Sequence, residues 1–214
     1  MNRVTKRVGI LHFAVLAIVL HSLPATAQDA AGSVVFLRGS ASAARGDSSW
    51  PLQLGSEISV GDEIRTAKDA RVVLKMRDGT TLALGEQTRF AVWRYDFDES
   101  RGVGKVVLGL ITGAFRAITG AIGEVDEPDL RVVTPVATLG IRGTDFWGGF
   151  TFGTALDVAL LGGKGIYIQN EAGQVEITEV GFGTTVASAT SAPTTPKQWG
   201  EEKLTRAAQS TDRQ

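Results

Sequence analysis

Arg71-Val-Val-Leu-Lys-Met-Arg-Asp-Gly-Thr-Thr-Leu-Ala-Leu84 is the stretch that decides the fold class. In an extended chain Val72, Leu74 and Met76 point one way, and Arg71, Val73, Lys75 and Arg77 point the other. A period of two with one apolar side describes a strand with one face in a core and one toward water. Asp78-Gly79 interrupts the alternation and Thr80 to Leu84 resumes it, a pattern that predicts a hairpin closed by a tight primed turn.

The same alternation recurs between glycines on both sides of this hairpin. Strands are expected at residues 34–38, 63–66, 88–95, 105–110, 130–134, 138–141, 156–160, 165–169, 174–178 and 184–187. Short strands set apart by turn signals about every ten residues indicate an all-β sandwich or barrel. Residues 106–115 are uncharged and contain Gly109-Leu-Ile-Thr-Gly113, a spacing also found in packed membrane helices. A bilayer needs about 20 apolar residues, and Lys105 and Arg116 close this run. It reads as a core strand entering a glycine turn.

The flanks are of different character. Arg3, Lys6 and Arg7 precede a short apolar run at residues 8–20, and Ala25-Thr-Ala27 supplies an export-type cleavage pattern. Residues 1–27 are therefore expected to be a signal peptide, leaving no stable transmembrane segment after cleavage and placing the chain in the periplasm or outside the cell. Residues 28–187 form the β domain. Residues 188–214 are expected to be a flexible linker with a short helix at 201–209, because Ala187 to Pro196 holds little apolar surface and Trp199 is the one obvious anchor.

Removal of the leader takes the 22 basic side chains to 19 against 23 acidic ones, and it takes away both histidines, His12 and His21. The chain also has no cysteine. Histidine-based triads, Cys/His zinc sites, histidine-ligated haem and CxxC redox chemistry lack their atoms. The slightly acidic balance argues against nucleic acid. The acidic run Glu124-Val-Asp-Glu-Pro-Asp129 lacks the glycine and distal glutamate of an EF-hand and reads as a solvated loop. No metal or cofactor is called for.

Thr134-Pro-Val-Ala-Thr-Leu-Gly-Ile-Arg-Gly-Thr-Asp-Phe-Trp147 is the most distinctive stretch. Pro135 fixes a dihedral at a strand end, and Gly140 and Gly143 bracket Arg142, allowing a sharp turn or a close approach. Arg142 needs an acceptor, and Asp145 is the nearest, so a structural ion pair locking the corner is expected. The other reading makes Arg142 a contact for an external carboxylate or phosphate. Phe146, Trp147 and Phe150, with Gly148 and Gly149 between the last two, read equally as core or as an exposed aromatic patch.

The pattern from Thr134 through Arg142, Gly143 and Thr144 to Phe146 resembles the signature of the FecR domain family. Val60 to Thr66, Asp78 to Leu84, the Leu110-to-Gly113 turn and the Leu160-to-Ile166 hairpin agree with it in order. The resemblance, over residues 32–187, implies a periplasmic two-sheet sandwich of jelly-roll or double-stranded β-helix type. The family's best-known members regulate sigma factors through a cytoplasmic segment, for which only seven residues precede the apolar run here. What the resemblance implies is therefore a non-enzymatic periplasmic domain working by contact with another envelope protein. A carbohydrate-binding or carbohydrate-active sandwich is the alternative, with Asp62, Glu63, Asp96 and Asp98 as its candidate carboxylates.

Overall fold

A computed structural model of the protein describes residues 30–125 and 129–212. The expected signal peptide lies outside the described residues. In chain order the strands are β1 (Ala30–Arg38), β2 (Ala41–Arg45), β3 (Ser48–Pro51), β4 (Glu57–Ser59), β5 (Glu63–Thr66), β6 (Arg71–Met76), β7 (Thr81–Leu84), β8 (Arg89–Asp98), β9 (Val103–Thr112), β10 (Ala114–Ile118), β11 (Asp129–Val133), β12 (Thr138–Ile141), β13 (Thr144–Gly149), β14 (Leu156–Gly163), β15 (Ile166–Asn170), β16 (Gly173–Ile177), β17 (Phe182–Val186) and β18 (Lys197–Gln198). One helix, α1 (Glu201–Gln209), follows.

These strands form two nine-stranded sheets packed as a sandwich. The first runs β4-β1-β6-β7-β10-β13-β14-β17-β18 and the second β3-β2-β5-β8-β9-β11-β12-β15-β16. Neighbours are antiparallel except β9 and β11, which run parallel from Asp129 beside Lys105 to Val133 beside Gly109. The chain thus advances along both sheets together, crossing between them repeatedly. Alternation does what the sequence pattern required: Leu74, Leu82, Phe90, Leu110, Phe115, Leu139 and Phe146 are buried between the layers. Phe115 stands 5.3 Å from Phe90 and 5.4 Å from Phe146, joining the sheets at mid-sandwich. Each such side chain contributes roughly 1.5–3 kcal/mol through burial.

The opening hairpin is β6–β7, but its turn is not of the primed kind. A type I′ turn needs positive φ at both central residues. Here Gly79 alone has it, at 85°, and its N–H donates to Met76 O at 3.0 Å. This is a type I turn followed by a left-handed glycine. Asp78 is spoken for elsewhere: its buried carboxylate accepts from Tyr95 Oη at 2.6 Å and Thr80 Oγ1 at 2.5 Å. Burial, reinforced by that carboxylate, pushes the Tyr95 phenol well above its ordinary pKa.

The tail departs from the expected flexible linker. Between residues 188 and 194 polar bonds rather than apolar burial hold it, which its composition does not announce. Asn170 Nδ2 donates to Ser191 O at 2.7 Å and Ser188 O at 3.2 Å, Thr184 Oγ1 donates to Thr194 O at 2.5 Å, and β18 pairs with β17. Trp199 is buried against Gly183, whose missing Cβ leaves room for the indole. Helix α1 then lies on the outer face of the first sheet. Lys203 Nζ reaches buried Asp157 at 2.7 Å and stands 3.9 Å over the Trp199 ring. Lys203→Ala is expected to cost about 1 kcal/mol, since the ammonium is partly solvated. Hydrogen exchange checks it: amides of α1 should exchange faster, with those of β13 and β14 unchanged.

Candidate functional site

The distinctive Thr134-to-Trp147 segment passes through both sheets, and each part has a separate task. Thr134 and Ala137 close the β11–β12 hairpin, with Pro135 inside the turn. Thr134 Oγ1 donates to Ala137 O at 2.8 Å and accepts from Ala137 N–H at 3.0 Å. Gly140, in β12, has its outward side covered by the Tyr167 ring, which a Cβ there would penetrate. Arg142, Gly143 and Thr144 carry the chain from the second sheet to the first.

That crossover is fixed by Gly143 and Thr144. Gly143 has φ 58°, in the left-handed region that glycine enters without strain. Thr144 is buried, and its hydroxyl donates to Gly165 O at 2.8 Å while accepting from Gly165 N–H at 3.3 Å. Its backbone exchanges bonds with Thr119 on the neighbouring crossover: Thr119 Oγ1 donates to Thr144 O at 2.8 Å and accepts from Thr144 N–H at 3.1 Å.

The expected Arg142–Asp145 pair does not form. The crossover sends the two side chains to different sheets, and Asp145 instead receives a bidentate bond from Arg116, at 2.9 and 2.7 Å. Arg116 lies on β10, beside β13 but 29 residues away in sequence. That bond, opposed by partial burial, holds the guanidinium above its usual pKa. Phe146 and Trp147 are core, not a surface patch. Phe146 faces the inter-sheet core, and Trp147 faces outward beneath α1, donating from Nε1 to Ser210 Oγ at 2.9 Å.

Arg142 is left with little internal work. Its side chain is 65% exposed and its carboxylate partner, Glu176, is 3.6 Å away. It borders a hollow of about 480 Å³ shared with Lys164, Tyr167, Glu124, Gly123 and Leu130. The Lys164 ammonium makes no ion pair among the described residues. Two cations and a phenol, against the single carboxylate of Glu124, can receive a carboxylate or a similar anionic group. Reading the sequence singled out Arg142 but missed Lys164 and Tyr167, whose outward position was legible only from the alternation with Ile166 and Ile168.

The four carboxylates considered for glycosidic chemistry are bound individually. Asp62 is buried and accepts from Arg45 Nε at 2.7 Å and Ser59 N–H at 2.8 Å. Glu63 is gripped by Arg89 and Arg65, which hold its pKa below the ordinary range, chiefly through the Arg89 bond. Asp96 pairs with Arg94 at 2.6 Å. Asp98 caps the turn at Glu99–Arg101, and bonds from Ser100 and then Arg101 lower its pKa. A general acid needs the opposite shift.

Residues 62–165 match the model of the family described as FecR protein. Two crystal structures of a candidate anti-sigma factor from Parabacteroides distasonis share the fold. One superposes with a TM-score of 0.52 at 16% identity and the other with 0.50 at 17%. In both cases the likeness covers 67% of this chain and 62% of the other. This chain therefore spans less than two thirds of their length. No curated protein matches it in sequence. From Asp62 to Gly165, through the hairpin, the glycine turn and the Arg142 crossover, this chain is similar in sequence to the FecR protein family, on a fold shared with those two structures.

Proposed function

We propose that the chain is an exported, non-enzymatic domain that acts by protein contact in cell-envelope signalling or assembly, and that the Arg142–Lys164 hollow is its contact site. The FecR match and the anti-sigma-type neighbours support a signalling role. Among the described residues no helix is long and apolar enough to cross a membrane. Export rests on the cleavage pattern at residues 25–27. The observation that carries the contact site is that Arg142 stands at the centre of the family-like segment yet is not needed to hold the corner, a task done by Gly143, Thr144 and Thr119.

An arginine kept for structure and one kept for contact behave differently on removal. Arg142→Ala is expected to leave the melting temperature within about 4 °C of the parent, because an exposed pair contributes at most about 1 kcal/mol. Affinity capture from an envelope extract should meanwhile lose the proteins that the parent domain retains, and Lys164→Ala should deplete the same bands. A large drop in melting temperature with capture unchanged would return Arg142 to a structural role.

A further inference from the structure

The outer face of the second sheet carries two aromatic rings laid flat on glycines. Gly109 in β9 points away from the core, between Leu108 and Leu110, which point into it. A Cβ built on Gly109 would meet Trp93 Cζ2, Cη2 and Cε2 at 2.6, 2.8 and 2.9 Å. Three bonded ring atoms at nearly equal distance mean that the indole lies face-down on the strand. Its other face is open, for Trp93 is 49% exposed. Gly140 repeats the arrangement: the same construction meets Tyr167 Cζ first, with Cε1 and Oη equally far beyond it. A packed aromatic on an outer strand usually turns an edge to water, whereas these two turn a face.

The register places the rings on one platform. Gly109 is opposite Val133, which is opposite Thr138. One row along, Val107 is opposite Arg131, then Gly140, then Tyr167. Two strand spacings across and two residues along separate the glycines by about 12 Å. Between and beside the rings lie Val133, Thr138, Gln169 and Gln174, all outward, presenting a methyl-bearing floor with amide and hydroxyl groups. The arginines bordering the platform are already paired, Arg94 with Asp96 at 2.6 Å, Arg131 with Asp129 at 2.5 Å and Arg142 with Glu176 at 3.6 Å, while Lys105 and Lys164 stand at its edges without an ion pair among the described residues.

We propose that this face binds a linear, uncharged oligosaccharide. The axial C–H faces of pyranose rings stack on open aromatic faces, and their hydroxyls take bonds from amides and from arginine–carboxylate pairs that both donate and accept. A spacing of about 12 Å suits a chain of sugars rather than one. Each arginine of the platform is paired with a carboxylate, so the field left to favour a polyanion over a neutral chain is small, which sets a glycan apart from nucleic acid stacked on the same rings. The platform is separate from the Arg142–Lys164 contact site except at its border, where Tyr167 and Arg142 belong to both. Trp93 belongs to the platform alone.

The test is calorimetric titration of the full exported chain with cellohexaose, chitohexaose and maltohexaose, and with a heparin hexasaccharide as the charged control. At least one neutral hexasaccharide is expected to bind more than tenfold tighter than the heparin fragment. Trp93→Ala and Tyr167→Ala should each weaken that binding tenfold or more at an unchanged melting temperature, and Tyr167→Phe, which keeps the ring, should stay within about threefold of the parent. Lys164→Ala should leave sugar binding intact while reducing protein capture, so that the two sites can fail separately. Absence of binding to all three neutral probes at millimolar concentration, preference for heparin, or binding indifferent to both alanine variants would overturn the assignment. If Tyr167→Ala does not fold, Trp93→Ala and Tyr167→Phe decide it.

Discussion

Trp147→Ala is expected to destabilise the domain by about 3–5 kcal/mol, the range for deleting a fully buried large aromatic, and to lower the melting temperature by roughly 8–15 °C at this chain length. Trp147 is fully buried although it points away from the main core, because α1 and Trp199 cover it. Its indole stands 6.2 Å from Trp199 and 5.6 Å from Phe152, and its N–H reaches Ser210 beyond the end of the helix. Truncation therefore opens a cavity beneath the helix and removes the polar bond that fastens its end. Two readouts should move together in the variant: thermal unfolding, and protease cleavage between residues 187 and 200. A melting temperature within 3 °C of the parent would show that α1 covers this face without contributing to stability.

Gly113→Ala should be comparably damaging for a different reason. Gly113 joins β9 to β10 and has φ 82°, where an L-residue is strained by roughly 1–2 kcal/mol. Its Cβ would in addition fall 2.5 Å from Thr88 Cα and closer still to Thr88 Oγ1. That backbone cannot yield easily, since Thr88 is buried and bonded to Ala114 on both sides of its hydroxyl. Gly55→Ala is the matched control: Gly55 has φ 84° with nothing near its Cβ direction, so it carries the dihedral cost alone. Denaturant titration should place Gly113→Ala at least 2 kcal/mol below Gly55→Ala. Equal losses would mean that Thr88 moves aside and that the turn tolerates a side chain.

The hairpin at residues 71–84, the strands at 63–66 and 138–141 and the two-sheet class were legible because half-buried strands alternate. Where both faces are buried, alternation disappears. β13 reads Thr-Asp-Phe-Trp-Gly-Gly, a pattern equally compatible with core and with an exposed aromatic patch, and in the fold Phe146 faces one core and Trp147 another. Its glycines are there because Ala114 and Phe115 press against them from β10. β2 and β3 were hidden for the reverse reason: Ala-Ser-Ala-Ala-Arg and Ser-Ser-Trp-Pro hold no branched residue to announce a strand. Arg116 as the partner of Asp145 could not be read from spacing, since only the pairing of β10 with β13 brings them together. The signal at the candidate site was similarly partial, naming Arg142 by its glycines while leaving Lys164 and Tyr167 unmarked.

The order of strands along the two sheets has a consequence for how such a chain is made. The widest gap in sequence across any described strand pair is 44 residues, between Gly32 and Met76, and among the described strands none from the first third of the chain pairs with one from the last. Closing short loops is the less costly and faster route to β structure. A polypeptide that emerges N-terminus first can thus lay down the sandwich in the order in which it appears, each strand adding to a seam already present. Helix α1 arrives last, onto a surface complete before it appears.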